Sequence, residues 1–480
     1  MKASNLGANL VFGRRSGTEK IRAITRIALT VLLIFLTGCA RIETPAAPPL
    51  TLPAHWSEAP AEEAAHPPET DWWVLFGSPT LESLIAEARE ANPDIRIAFE
   101  RARQAEIALR IAGASLFPSL ALDGSTSSRR SDPNGAPAAT AESTSLALGA
   151  AYEIDAWGRI GAQVRSAEHG AAAGRHDLDA VRLSLSAAVA TGYFQILAFD
   201  ERLAIARENL AIARRVLQIA ETRHRAGVAT ALDVSRQRAA VLSQQAAIVP
   251  LESQRNQAVY ALAVLLGKAP QDFAVAPEAI GDIAAVPVSP GLPSELLVRR
   301  PDLARSEAEL AAAHADIAAA RAALLPNIRL SASGAIAGTG LFSLGNPATS
   351  LGITASLVQT IFDGGRLRGQ VELADSRREA LVESYRRNIL VALREVEEAL
   401  SNLDRSARQM EFQIETLEEA RRTLRLAELR YREGADDFLS TLDAQRTLFQ
   451  AQDQIAQLQL ARLTATVDLY RALGGGWFSP

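Results

Sequence analysis

The sequence predicts a mainly α-helical protein with a membrane β-barrel portion, in which a strand pair and a long coiled-coil helical hairpin occur twice. Apolar residues keep a heptad rhythm over spans far longer than an ordinary helix, and short stretches in each half change to a period of two. Turn and breaker residues recur at a fixed distance. Arg300-Pro301-Asp302 answers Asn92-Pro93-Asp94 and Pro326 answers Pro118 at 208 residues. Gly365-Arg366, Gly434 and Leu473-Gly474 answer Gly158-Arg159, Gly227 and Leu266-Gly267 at 207. A spacing that constant marks internal duplication.

The chain opens on a targeting segment, residues 1–38. Arg14, Arg15, Lys20, Arg22 and Arg26 form a basic region before the apolar run Ile27–Leu36. That run is too short to span a bilayer as a helix, so it reads as a signal peptide. Leu36-Thr37-Gly38-Cys39 resembles the lipobox of bacterial lipoproteins, and Cys39 is the only cysteine of the chain. Cys39 is therefore the expected lipidation site and mature N-terminus; the alternative is a chance cysteine beside an ordinary cleavage site. Alanine rather than aspartate at position 40 implies the outer membrane under the lipoprotein sorting pattern. Residues 39–70, rich in Pro and Ala, read as a flexible tether beside a lipid anchor.

The first repeat is expected over 71–267. Leu81–Ala91 reads as a short helix, and Asn92-Pro93-Asp94 restarts it with Asn92 as N-cap and Pro93 in the first turn. That helix is expected to reach Leu116, before Phe117-Pro118. The period then becomes two: Leu146, Leu148, Ala150, Tyr152 and Ile154 alternate with Ser145, Ala147, Gly149, Ala151 and Glu153, a strand with one apolar and one polar face. Ser119–Ser127 is its weaker partner. Beyond Asp155-Ala156-Trp157-Gly158-Arg159, the positions Val189, Ile196, Leu203, Leu210, Leu217 and His224 fall seven apart, and Phe199, Ala206, Ala213 and Ala220 form small layers. The hairpin turns at Arg225–Asp233. Residues 268–298, with five prolines, read as a linker.

The second repeat, 299–477, offers strands at Ile328–Ile336 and Leu351–Ile361. Its long helix carries Ile389, Leu393, Val396, Leu400, Leu403, Ala407, Met410, Ile414, Leu417, Leu424 and Tyr431 on a heptad seam, which imposes left-handed supercoiling. Leu439, Leu442, Phe449, Ala456, Leu460, Leu463, Val467 and Tyr470 return it. Strands of about ten residues span an outer membrane when tilted. Four strands cannot close a barrel and lipid does not tolerate open edges, so a barrel must be shared between subunits. A soluble coiled coil with buried strands explains the helices equally well, but not the lipobox.

Composition narrows function further. Aromatics are 5% and the net charge is −5; without residues 1–38 it falls to −10, with 44 basic against 54 acidic residues. No Lys/Arg block accompanies this acidity, which argues against a nucleic-acid partner. Six histidines are scattered, and His169 and His176, seven apart, have no cysteine or carboxylate cluster to complete a zinc set. Gly474-Gly475-Gly476 follows a helix rather than a strand and is no phosphate loop. No catalytic constellation, cofactor or metal site is expected.

The order of strand pairs and hairpins resembles the TolC-type outer-membrane efflux factors, in their lipoprotein branch. The residues that carry the likeness are Leu36–Cys39, Ile361-Phe362-Asp363-Gly364-Gly365-Arg366, Arg430-Tyr431-Arg432-Glu433-Gly434, Leu442-Asp443-Ala444-Gln445-Arg446 and Ala472-Leu473-Gly474-Gly475-Gly476-Trp477. The resemblance implies a homotrimer whose twelve-stranded barrel stands on an α-helical tunnel. An inner-membrane resistance-nodulation-division pump would feed that tunnel through a periplasmic adaptor, for export of drugs or small toxic compounds. It also implies a periplasmic gate at Leu439, Asp443 and Arg446, which helical spacing places on one face; without the resemblance Asp443 and Arg446 are an ordinary surface pair. The tips, with Arg225, Gly227, Leu232, Arg432 and Gly434, would meet the adaptor, although a glycine there also simply ends a helix. Two rivals stay open: the duct of a type I protein secretion system, and a lipid-anchored structural coiled coil without a pore.

Overall fold

The computed structural model describes residues 52–58, 71–132, 134–135, 137–284, 286–436 and 438–477. The predicted signal peptide, Cys39 and most of the 39–70 tether lie outside the described residues. Helices α1 (Pro79–Ala91) and α2 (Pro93–Ala114) precede strands β1 (Ser119–Ser131) and β2 (Ala139–Ile154), then helices α3 (Arg159–Arg225) and α4 (Ala231–Leu265). The order recurs as α5 (Pro301–Ala322), β3 (Asn327–Gly338), β4 (Ala348–Val358), α6 (Arg366–Arg432) and α7 (Phe438–Ala472). Matching helices have equal lengths: 22 residues for α2 and α5, 67 for α3 and α6, 35 for α4 and α7. At 1.5 Å per residue the longest run about 100 Å.

The long helices start where an aspartate can hold free amides. The Asp155 carboxylate accepts from the backbone N–H of Ile160 at 2.9 Å and of Gly161 at 2.7 Å. Asp363 accepts from Gly365 and Leu367, each at 3.0 Å. Negative charge at this end also opposes the helix dipole favourably.

Each long helix is paired with a broken one. Helix α4 returns from the tip and stops at Leu265, and α2 starts beside it at Pro93. The Asn92 side chain binds both ends: its oxygen accepts from Asp94 N at 2.7 Å and Ile95 N at 3.2 Å, and its amide donates to Leu265 O at 2.8 Å. The second repeat solves the same junction with charge. Arg300 donates to Ala472 O at 3.0 Å, to both Asp302 oxygens at 3.0 and 2.7 Å, and to Glu395 at 2.8 Å. Gly267 and Gly474 make the close passage possible. A Cβ on Gly267 would stand 2.7 Å from Ala91 O, and one on Gly474 would stand 1.8 Å from Arg299 O.

The core is a belt around the middle of the long helices. Trp72 stacks on Tyr470 with centroids 5.2 Å apart, and Phe76 packs on Phe194 at 5.1 Å. Leu81, Ile85, Val189, Ile196, Leu262, Ile389, Val396 and Val467 surround them. Each large side chain so buried contributes roughly 1.5–3 kcal/mol. The connection 268–298 is more than a spacer, since Ile280, Ile283, Val288 and Leu296 are buried in this belt. Its Glu278 accepts from Ser78 at 2.7 Å and from Tyr193, whose hydroxyl pKa is pushed up to about 12 by burial and then by this carboxylate.

Away from the belt the seams shift by one residue from the expected positions. In α3 the buried positions past Leu203 are Ala206, Asn209, Ala213, Val216 and Ala220, while Leu210 and Leu217 are half-buried and His224 is exposed. The expected alanine layers at Ala206, Ala213 and Ala220 do face the partners, whereas the leucine series holds only as far as Leu203. In α6, Ser406 rather than Ala407 is buried, Ile414 is exposed, and burial resumes at Ala420, Leu424, Ala427 and Tyr431. Ala206, Asn209, Ala213, Val216 and Ala220 step by three and four, as do Ala420, Leu424, Ala427 and Tyr431, so the contact is itself a heptad, one residue out of phase with Leu210 and Leu217 in α3 and with Ala407 in α6.

Strands β1 to β4 form one antiparallel sheet in that order, which leaves β1 and β4 as open edges. The pairs Leu122↔Leu148, Leu148↔Gly334 and Gly334↔Leu351 set the register. It gathers Leu120, Leu122, Leu146, Leu148, Leu330, Ile353 and Leu357 on one face and Ser125, Ser145, Ser331, Ser333 and Ser350 on the other. The apolar face is bare in the protomer, with Leu351 87% and Ile353 89% exposed. Strand β4 stops at Val358; Ile361, expected at its end, follows the strand with Gln359 and Thr360, where alternation breaks. Helix α2 likewise stops at Ala114, two residues short of the expected Leu116.

Candidate periplasmic gate and adaptor tip

Both hairpin tips are built by the same local chemistry. Helix α3 ends with Gly227 in the left-handed region at φ +76°, where Val228 N donates to Arg223 O at 3.0 Å and Gly227 N to His224 O at 2.9 Å. Helix α6 ends with Gly434 at φ +74°, where Ala435 N donates to Arg430 O at 2.8 Å and Gly434 N to Tyr431 O at 3.1 Å. These are paired Schellman closures, and the left-handed residue favours glycine. Helix α4 then starts on a capping box in which Thr230 Oγ1 accepts from Asp233 N at 3.2 Å and Asp233 Oδ2 accepts from Thr230 N at 2.9 Å.

The first turns of α7 have two sides. Phe438, Thr441, Ala444, Gln445 and Leu448 are buried. Tyr431 and Phe438 pack at 5.1 Å and join Val216 and Ala220 of α3, so the two hairpins touch at their ends. The opposite side carries Leu439, Asp443 and Arg446, all exposed. Arg446 Nη2 lies 3.4 Å from Asp443 Oδ1, with the side chains 72% and 59% exposed. Within one protomer such a pair contributes only a few tenths of a kcal/mol. Leu439, Asp443 and Arg446 thus share one solvent-facing strip. Among the tip residues, Arg225, Gly227, Leu232, Arg432 and Gly434 are likewise exposed, beside an exposed Val228.

Sequence reasoning missed Arg223. Its Nη1 donates to Tyr431 O at 2.5 Å and Arg432 O at 2.8 Å, and its guanidinium lies over the Tyr431 ring at 4.6 Å. One side chain of the first hairpin thereby closes the last carbonyls of the second and stacks on its tip aromatic. The signal was present in the duplicated pattern Arg223-x-Arg225-x-Gly227 and Arg430-x-Arg432-x-Gly434. Higher up, Arg202 binds Asp453 at 2.6 and 3.2 Å, a second tie between hairpins. Among the described residues no group of three His, Cys, Asp or Glu is placed to hold a metal ion.

An open sheet, apolar on one face, continuous with helices of this length is the build of a channel protomer, and comparison with known proteins agrees. The family model for outer membrane efflux proteins matches residues 84–268 and 292–475. The chain is 40% identical over 468 residues to the pyoverdine export outer membrane protein OpmQ of Pseudomonas aeruginosa, covering 95% of this chain and 98% of that one. It is 32% identical over 465 residues to the antibiotic efflux pump outer membrane protein ArpC of Pseudomonas putida, covering 94% and 96%. The solved outer-membrane channel OprN superposes with a TM-score of 0.83 at 30% identity, over 91% of this chain and 99% of that one. The chain belongs to the outer membrane efflux protein family, and it is an outer-membrane channel component with a periplasmic helical tunnel.

Proposed function

We propose that three copies of this chain close a twelve-stranded barrel on a helical tunnel and passively conduct small molecules out of the cell. The observation that carries this reading is the four-stranded sheet with both edges open. Strands alternate in direction, so β4 of one copy meets β1 of the next antiparallel, and three sheets close without leaving an edge in lipid. Lipidation at Cys39 would anchor the first residue of the mature chain in the outer membrane. The tips, with Arg225, Gly227, Leu232, Arg432 and Gly434, would seat a periplasmic adaptor coupled to a resistance-nodulation-division pump.

At the tip, threefold symmetry turns Leu439 into an apolar ring and Asp443 with Arg446 into a charged one. Pairing between copies would hold the tunnel closed until the adaptor engages, and a carboxylate ring favours cations. No binding pocket is needed, because the pump selects cargo. Pyoverdine-like cargo is a specific second reading, since the relative named for pyoverdine export is 40% identical and the one named for antibiotic efflux 32%.

The test is conductance of the purified protein in planar bilayers together with its mass in detergent. Discrete channels from a trimer support the duct. A silent monomer would return the chain to the structural coiled-coil reading. Palmitate labelling that persists after Cys39→Ser would remove the proposed anchor site.

A further inference from the structure

The loop between β3 and β4, residues 339–347, does not run straight from one strand to the next. Strand β3 ends at Gly338 opposite Thr144 of β2. From there the chain turns back across β2 and β1, away from β4. Three hydrogen bonds fix its path: Thr144 Oγ1 donates to Gly340 O at 2.8 Å, Leu341 N donates to Glu142 Oε2 at 3.2 Å, and Phe342 N donates to Thr126 Oγ1 at 3.3 Å. Register decides which side of the sheet this is. Thr126 pairs with Thr144, and unbroken pairing runs on to Gly124↔Leu146 and Leu122↔Leu148. Side chains two residues apart share a face, so Glu142, Thr144 and Thr126 lie on the side of Leu122, Leu146 and Leu148. That is the apolar side, not the serine-lined side.

All four strand-to-helix connections leave the sheet at its other end, where β1 and β3 start and β2 and β4 stop. The loop is therefore at the end facing away from the periplasm. Thr126 and Thr144 lie two residues beyond Leu146, about 7 Å along the strand. The loop thus rests where the apolar band gives way to hydroxyls, at the height of the outer membrane interface. It presents Leu341, Phe342 and Leu344 outward, with Phe342 81% exposed and held at φ +54°, a conformation a bulky residue rarely takes. Its Gly340 carbonyl and the amides of Leu341 and Phe342 are met by sheet side chains, as backbone near hydrocarbon must be.

We propose that the β3–β4 loop is a membrane anchor, seated among acyl chains of the outer leaflet on the lipid side of the barrel, and not a lid over the pore mouth. The occupant follows from continuity: the loop extends the apolar face formed by Leu120, Leu122, Leu351 and Ile353. The inference rests on the shared-barrel reading, and its test separates the two.

Trimers in proteoliposomes would carry a nitroxide at Phe342→Cys, with Leu122→Cys as the lipid-side reference, Ser125→Cys as the pore-side reference, and unsubstituted protein to account for Cys39. Collisions with oxygen and with nickel-EDDA are then compared. The loop label is expected to prefer oxygen as Leu122→Cys does and to oppose Ser125→Cys. Nickel preference at position 342, or exclusion of both reagents as in a subunit contact, would overturn the anchor while leaving the barrel standing. Nickel preference at Leu122→Cys would overturn the barrel itself. Phe342→Asp is the second readout: an anchor leaves single-channel conductance unchanged, whereas a rise would place the loop over the mouth.

Discussion

Four glycines separate two costs that usually arrive together. Gly227 and Gly434 at the tips and Gly267 and Gly474 at the mid-tunnel junctions all have positive φ, +76°, +74°, +68° and +90°. Replacement by alanine therefore costs about 1–2 kcal/mol at each for the left-handed backbone alone. Space then divides them. A Cβ at Gly227 meets nothing within 4 Å, and at Gly434 only the Arg223 guanidinium at 3.8 Å. At Gly267 it would meet Ala91 O at 2.7 Å, and at Gly474 it would meet Arg299 O at 1.8 Å. Backbone is not the flexible end of a side chain, so the helix ends must part. Overpacking of this kind adds about 1–3 kcal/mol.

The expected order of destabilisation is therefore Gly474→Ala, then Gly267→Ala, then the two tip variants together. The first totals about 2–5 kcal/mol and the last about 1–2. Thermal unfolding in detergent, read by far-UV circular dichroism at one fixed protein concentration, ranks them, since an oligomer's midpoint depends on concentration. A Gly434→Ala protein that melts as low as Gly474→Ala would refute the separation. So would Gly474→Ala melting with the unsubstituted protein, because no backbone could then be passing that close.

The remaining predictions concern the tip and pH. Asp443→Ala with Arg446→Ala should raise single-channel conductance with the trimer intact, and unchanged conductance would mean the pair is only a surface contact. Arg223→Ala removes a helix-end donor and a cation–π contact, together about 1–2 kcal/mol. Amide exchange should then accelerate around Tyr431–Ala435, and unaltered exchange would count against the tie between hairpins. His176 packs edge-on against Trp477 at 5.5 Å, and burial holds its pKa below the ordinary imidazole value. The folded state thus binds fewer protons, so its contribution is lost as pH falls through the unfolded value toward the folded one. His176→Phe should flatten that limb of a stability profile between pH 7.5 and 5, and an unaltered slope would remove the histidine from it.

Much of this fold was legible because its signals are local and repeated. Asn92-Pro93-Asp94 announces a capped helix start, and Asn92 does accept from the amides of Asp94 and Ile95. Period-two alternation over 146–154 gave the face of β2 correctly, since alternation depends only on the pleat. The seams were harder. Spacing marked both the series Leu203, Leu210, Leu217 and the layers Ala206, Ala213, Ala220, and beyond Leu203 the contact follows the alanines. Close packing of long helices selects small residues, and periodicity cannot say which of two parallel series is inside. At the proposed gate only a shared face was legible: Leu439, Asp443 and Arg446 do lie on one exposed strip. The duplicated Arg-x-Arg-x-Gly spacing marks Arg223 but not its partners, which are carbonyls on another hairpin.

Duplication preserved geometry here more strictly than chemistry, and the two mid-tunnel junctions make that measurable. Asn92 and Arg300 both donate to the last turn of the neighbouring helix, at Leu265 O and Ala472 O. Asn92 is neutral, and its loss costs about 1–2 kcal/mol, as for other N-caps. Arg300 is 7% exposed and also holds Asp302 and Glu395. Burial would push the Asp302 carboxyl up, but hydrogen bonds and charge from Arg300 outweigh it and hold the group below the ordinary value. Removing the guanidinium strands two carboxylates. A fully buried pair broken this way costs about 3–5 kcal/mol; Asp302 reaches water, so about 2–4 is expected. The sign with pH follows. Stabilisation by the Arg300–Asp302 pair is present above the unfolded carboxylate pKa and lost as pH falls through the depressed folded one. Arg300→Ala should therefore lower the melting midpoint more than Asn92→Ala at pH 7, and the gap should narrow in acid. If the two variants melt together at pH 7, the charged junction is no stronger than the neutral one, and the second repeat carries its buried arginine for some reason other than stability.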